Sequence, residues 1–221
     1  MKSITRQKPL EEIRAYVEPF DRVYIVGCGT CATMTKTGGV DQVQTMKEEV
    51  KGFGKWVTGW AVVPTACDEM TEEDFKAAEE GLQHANCLLV MSCALGVHRV
   101  NSSFHLPTIP ALDTLFIGLE ESPGYFQEVC AQCGQCVLGE TAGICPLTAC
   151  HKGLLNGPCG GTSHGKCEVD SDRDCAFTLI YERLKEQNRL DLMGKYYPPR
   201  NYHVTLVPKI ITVTLEEGRE P

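Results

Sequence analysis

Residues Val23 to Cys31 read VYIVGCGTC, a short apolar run closed by glycine and followed at once by two thiols. An apolar run of this length, stopped by Gly27, fits a strand buried on both faces. Working outward, Asp41 to Gly52 (DQVQTMKEEVKG) places Val43, Met46 and Val50, with Phe53, near one face of a helix, and Gly52 and Gly54 mark its end. Trp56 to Val63 (WVTGWAVV) reads as a second strand, closed by Pro64. Thr71 to Ala85 reads as a second helix, opened by the TEED capping pattern. Cys87 to Met91 (CLLVM) is a third strand and Thr114 to Gly118 (TLFIG) a fourth. Strands alternating with helices imply a parallel sheet covered by helices. The expected fold class is α/β, with a flavodoxin- or Rossmann-like sheet over residues 1–120.

Residues 121–221 have a different texture. From Gly124 to Cys175 glycine, proline and cysteine dominate, and apolar periodicity disappears. Such a segment buries little side-chain area, so something other than a hydrophobic core must order it. An amphipathic helix is expected from Ala176 to Met193, with Phe177, Ile180, Tyr181 and Leu184 on one face and Asp172 or Asp174 as cap. After Pro198 and Pro199 the tail carries two strand-like pieces, Tyr202 to Val207 and Ile210 to Leu215.

The bulk properties limit the function. The chain has 221 residues, 43 % of them hydrophobic, and a core of that size needs no covalent staples. A formal net charge of -8 argues against nucleic acid as partner, since phosphates call for a basic face. The first twenty residues, MKSITRQKPLEEIRAYVEPF, contain no apolar secretory segment. No apolar run approaches the ~20 residues of a membrane span, so no membrane insertion is expected. The expected compartment is the cytoplasm, where disulfides are rare. Thirteen cysteines, an odd count, are therefore better read as metal ligands, redox groups or core residues than as a disulfide framework.

Four of them sit at predicted strand ends. Cys28 and Cys31 follow the first strand, Cys67 the second and Cys93 the third. In an open parallel sheet the carboxyl ends of the strands line one crevice. Four thiolates there suit a tetrahedral zinc or a 4Fe-4S cluster. Gly27 and Gly29 permit close backbone approach to the bound group. A rival reading exists, because Gly27 to Ala32 also spells G-x-G-x-x-A, the dinucleotide fingerprint. That fingerprint requires a helix to begin at once, whereas TMTKTGG is poor helix material and the helix is expected near Val40. Cys87, inside an apolar run, reads as a core residue.

The other eight lie between Cys130 and Cys175. Cys130, Cys133 and Cys136 resemble the front of a ferredoxin run, and Cys145 is followed by proline as in that pattern. The departure is the eight residues between Cys136 and Cys145, where the ferredoxin run has three. Cys150, Cys159, Cys167 and Cys175 complete eight thiols, enough for two four-thiolate centres. Spacing alone does not choose between zinc and iron-sulfur. No pair of histidines has zinc-finger spacing, although His151 and His164 are candidate ligands. All-cysteine ligation among many glycines leans toward iron-sulfur, since backbone amides can then donate to the sulfurs. The expectation is two 4Fe-4S clusters, or three, with zinc as the option at one set.

The stretch GICPLTACHKGLLNGPCGG, then GKCEV and RDCAFTLIYERL, resembles the methylenetetrahydrofolate reductase C-terminal domain family. With GCGTCATMTKTGG in front, the resemblance extends over most of the chain, to the small iron-sulfur subunits of MetVF-type reductases, and fades after about Tyr197. It implies a subunit that exchanges electrons with the flavin of a MetF-type flavoprotein, in the methyl branch of the reductive acetyl-CoA pathway. It implies a further electron-donor protein as a second partner. The residues themselves show no Ser-His-Asp motif, P-loop or H-E-x-x-H, so a non-catalytic role in an oxidoreductase complex is expected. Glu48, Glu49, Glu72, Glu73 and Glu79 read as solvated helix faces. The competing reading is a structural zinc module that docks and stabilises the flavoprotein.

Overall fold

The structure, a computed structural model, describes residues 2–68 and 79–202. The start of the Thr71 helix, with Glu72 and Glu73, and the tail strands beyond residue 202 lie outside the described residues. The chain forms two compact units, Met1–Glu128 and Val129–Pro221.

The first unit is built on four parallel strands. These are β2 (Arg22–Cys28), β3 (Trp56–Val63), β4 (Cys87–Met91) and β5 (Thr108–Pro110), in the order β3-β2-β4-β5. The two central strands are apolar and wholly enclosed: Val23, Ile25, Val26, Leu88, Leu89 and Val90 are all fully buried. Each such side chain contributes about 1.5–3 kcal/mol of burial. That is why both runs stand out in sequence. The helix α3 (Val40–Gly52) buries Val43, Met46 and Val50, as its periodicity predicts. Before it come α1 (Leu10–Val17), which buries Ile13 and Val17, and α2 (Cys31–Met34), a single turn. The short α4 (Glu79–His84) precedes β4, and α5 (Ala94–Ser103) links it to β5.

One strand belongs elsewhere. The TLFIG run is part of β6 (Leu112–Ser122), which pairs antiparallel with β1 (Lys2–Gln7) and β7 (Tyr125–Glu128) in a separate three-stranded sheet. Leu115 and Leu119 on β6 are exposed, so the strand has one wet face, as antiparallel sheets allow and enclosed parallel strands do not. The fourth parallel strand is instead the three-residue β5, whose Pro110 is tolerated at a sheet edge. The α/β class stands.

In the second unit the fully buried apolar side chains are few. Phe177, Ile180 and Leu184 of α7 (Ala176–Glu186) pack with Ala142, Ile144, Leu154 and Leu192. Tyr181, expected on that face, is exposed. The helix is shorter than predicted. Asn188 turns left-handed (φ 54°), and Arg189 N–H donates to Leu184 O at 2.8 Å, a Schellman-type stop. A 3-10 turn, Leu190–Gly194, follows. Neither expected aspartate caps α7. Cys175 occupies the cap position, and Asp174 pairs with Lys166 at 2.7 Å.

Candidate metal centres

In the first unit the register carries the strand ends to one edge. Cys28 pairs with Val63, and Gly27 with both Val62 and Met91. Cys67 thus lies four residues beyond one end, and Cys93 two beyond another. Cys28 and Cys93 are buried, Cys31 is half-buried and Cys67 reaches the surface. Burial pushes the Cys67 thiol up, and Cys93, Cys28 and Cys31 push it further as neighbouring anions. Four thiols from three strand ends therefore share one electrostatic neighbourhood.

The backbone there is held tightly. Gly29 N–H donates to Val63 O at 2.7 Å, and Cys28 N–H donates to Gly38 O at 3.0 Å. Thr33 Oγ1 donates to Cys28 O at 2.7 Å, and the Cys28 sulfur lies 3.3 Å from Thr30 Oγ1. A Cβ on Gly27 would stand 2.6 Å from Gly38 O, so the absent side chain is needed for chain packing. A Cβ on Gly29 would meet Pro64 O at 3.0 Å. The glycines that spell the dinucleotide fingerprint are thus explained by the folding of residues 27–39 onto β3. The helix after them, α2, is one turn long, and α3 begins only at Val40.

Cys87 is fully buried in β4, and burial pushes its thiol up to about 12. It is the core residue that its apolar context predicts.

In the second unit Cys150, Cys159, Cys167 and Cys175 line one cavity, with Ala149, Ala176 and Phe177. A small ribbon positions the last two: Lys166 pairs with Ser163 and with Asp174, and Cys175 N–H donates to Gly165 O at 2.7 Å. The turn depends on His164 and Gly165, both left-handed (φ 51° and 79°). Burial pushes the Cys175 thiol up, but four donors outweigh it and hold it below the usual thiol range. They are the Thr178 amide and hydroxyl, the Phe177 amide and the Thr162 hydroxyl. Amides at a helix start favour the thiolate in this way.

Cys130, Cys133 and Cys136 run along one loop, turned by Gln132 and Gly134, again left-handed. Gln132 N–H donates to the Cys130 sulfur at 3.4 Å, and Arg200 donates to the Cys133 sulfur at 2.7 Å. Cys136 and Arg200 line a cavity of about 260 Å³. Cys145 caps α6 (Pro146–Ala149), whose other end carries Cys150. His151 faces Asp170 at 3.4 Å and His164 is hydrogen-bonded to Ser163 at 3.1 Å, so each has its own partner.

All thirteen cysteines are free. Among the described residues, no three Cys, His, Asp or Glu side chains stand close enough around one point to be a finished metal site. The donor sets are nevertheless rich in sulfur, the ligand type that soft metals take. Residues 109–203 match the family model described as Methylene-tetrahydrofolate reductase C terminal. The matched segment takes in β6, β7 and every cysteine from Cys130 to Cys175, and leaves β2, β3 and β4 outside it. Comparison with curated proteins and with solved structures returns no match. No helix among the described residues is long and apolar enough to cross a membrane.

Sequence reasoning missed two groups of residues. Arg200 follows two prolines in a segment with no periodicity, and nothing local marks it as a partner of Cys133. Thr162 and Thr178 are ordinary residues until the ribbon and the helix start bring them to Cys175.

Proposed function

We propose that the chain is an iron-sulfur, electron-transferring subunit of a methylenetetrahydrofolate reductase complex, working beside a MetF-type flavoprotein and itself lacking the reductase site. The observation that carries this reading is the gathering of Cys28, Cys31, Cys67 and Cys93 at the carboxyl edge of the parallel sheet. The family match over residues 109–203 supports the choice of complex. Cys28, Cys31, Cys67 and Cys93 would hold one cluster, and the Cys130, Cys133 and Cys136 loop, with Cys145, another. Bound there, such a cluster supplies one-electron transfer. The protein's own part is to fix the ligands on a rigid strand edge and to surround their sulfurs with donors.

The deciding experiment is anaerobic purification with full iron supply, then iron, zinc and sulfide counts and EPR of the reduced protein. Iron and sulfide in cluster ratio, with a reduced-state EPR signal lost in Cys67→Ser, support the reading. A colourless protein carrying zinc alone would leave the structural zinc module as the better account.

A further inference from the structure

Two cavities of the second unit are lined by cysteines and differ in size. We propose that the cavity walled by Cys150, Cys159, Cys167 and Cys175 is a single-ion site for zinc, separate from any iron-sulfur cluster, and that this ion locks the loops of the second unit. The proposal rests on the metal-binding reading of these cysteines, but not on electron transfer.

Four observations support it. First, the wall supplies four sulfurs and no histidine, and its two charged residues, Lys152 and Glu168, bond each other. The Cys159 thiol donates to Glu168 Oε1 at 3.6 Å, a contact that metal binding would replace, and four thiolates suit tetrahedral zinc. Second, the cavity measures about 20 Å³. That is room for one water-sized body. The cavity beside Cys136 is larger, about 260 Å³. Third, Cys175 stands at the N-cap position of α7, beside the first-turn amides that have no partner within the helix, a setting that favours an anionic sulfur. Fourth, the four cysteines come from a stretch whose buried apolar side chains are supplied mainly by α7. Loops with so little packing need another source of order, and the free energy of metal binding is folding free energy in such modules. Drawing the sulfurs into one coordination sphere is what binding would do, with release of the thiol protons.

The test uses the full chain, purified anaerobically with iron and zinc both supplied. Wild type should carry about one zinc per chain beside its iron. Cys167→Ser should lower zinc roughly tenfold while iron and sulfide stay. Cys133→Ser should do the reverse. Zinc unchanged in Cys167→Ser, zinc absent from wild type, or iron and sulfide lost together with zinc in Cys167→Ser would each overturn the proposal. A zinc count that behaves as expected in a protein without iron would keep this site and remove the electron-transfer reading; iron without zinc would do the opposite. Because Cys167→Ser can unfold the unit, cobalt replacement in the wild-type chain gives an independent readout. Tetrahedral cobalt-thiolate absorption bands are expected after zinc is exchanged for cobalt, and an octahedral spectrum overturns the assignment.

Discussion

The Arg200 guanidinium donates to the Cys133 sulfur at 2.7 Å, and its own Nε is buried without a partner among the described residues. If Cys133 holds a cluster, as proposed, a cation donating to its sulfur stabilises the extra electron of the reduced state. On that proposal Arg200→Gln should lower the midpoint potential of the centre, on the order of 50 mV. Arg200→Lys keeps the charge but loses the planar fork, so a smaller shift is expected. An EPR-monitored redox titration, with iron content as control, reads the effect. An unchanged potential at full iron would show that the contact does not tune the centre.

Gly38 lies against the Met91 carbonyl, where a Cβ would collide with backbone. It also accepts the Cys28 N–H, so the same residue joins the ends of β2 and β4. Gly38→Ala should destabilise the first unit by about 1–3 kcal/mol and displace Cys28 from Cys93. The expected result is a lower urea midpoint and, on the proposed cluster at the Cys28 set, loss of its iron. Gly52→Ala is the control. A Cβ there meets open space at the end of α3, so stability should hold or rise by up to about 1 kcal/mol.

A Cβ on Gly59 would stand 2.6 Å from Tyr24 Cε2, and one on Gly81 2.9 Å from the same atom. Two strand and helix glycines thus make the slot for one buried ring. Gly59→Ala should cost about 1–3 kcal/mol by forcing that ring out of its rotamer. Adding Tyr24→Leu should recover part of the loss, since the shorter side chain frees the slot. Urea melts of the single and double variants measure the coupling. Additive losses would mean that the two positions do not share the slot.

VYIVG and CLLVM form the two central strands, enclosed on both faces, and their unbroken apolar runs show it. WVTGWAVV forms an edge strand that is mostly half-buried, and its β-branched and aromatic residues mark it instead. KSITRQ, the run that forms β1, alternates polar residues and gave no such signal. TLFIG read as a strand correctly, but its partner could not be read, because pairing depends on chain ends more than a hundred residues apart. The site divides in the same way. The common edge of Cys28, Cys31, Cys67 and Cys93 was legible because the carboxyl ends of parallel strands line one side of a sheet. The shared cavity of Cys150, Cys159, Cys167 and Cys175 was not, since it depends on left-handed turns at residues such as His164, which sequence does not mark.

The last prediction concerns alkaline stability. Cys87 is fully buried and its thiol is pushed up to about 12, and burial likewise pushes Tyr24 up to about 12. In the unfolded chain these groups ionise near 8.5 and 10. Both folded values are raised, so the folded state holds its protons longer. The neutral-side-chain stability is then fully present below the unfolded values and is lost as pH rises toward 12. The decline should begin near pH 9 with Cys87 and steepen above pH 10 with Tyr24, amounting to roughly 3–5 kcal/mol per group at its full extent. Cys87→Ala removes the first part of that decline while creating a small cavity. It should unfold more easily in urea at pH 8 yet lose less between pH 8.5 and 10 than wild type does. Urea midpoints at pH 8, 9.5 and 11 for both proteins would settle it, and parallel pH curves would show that Cys87 is not the group that titrates.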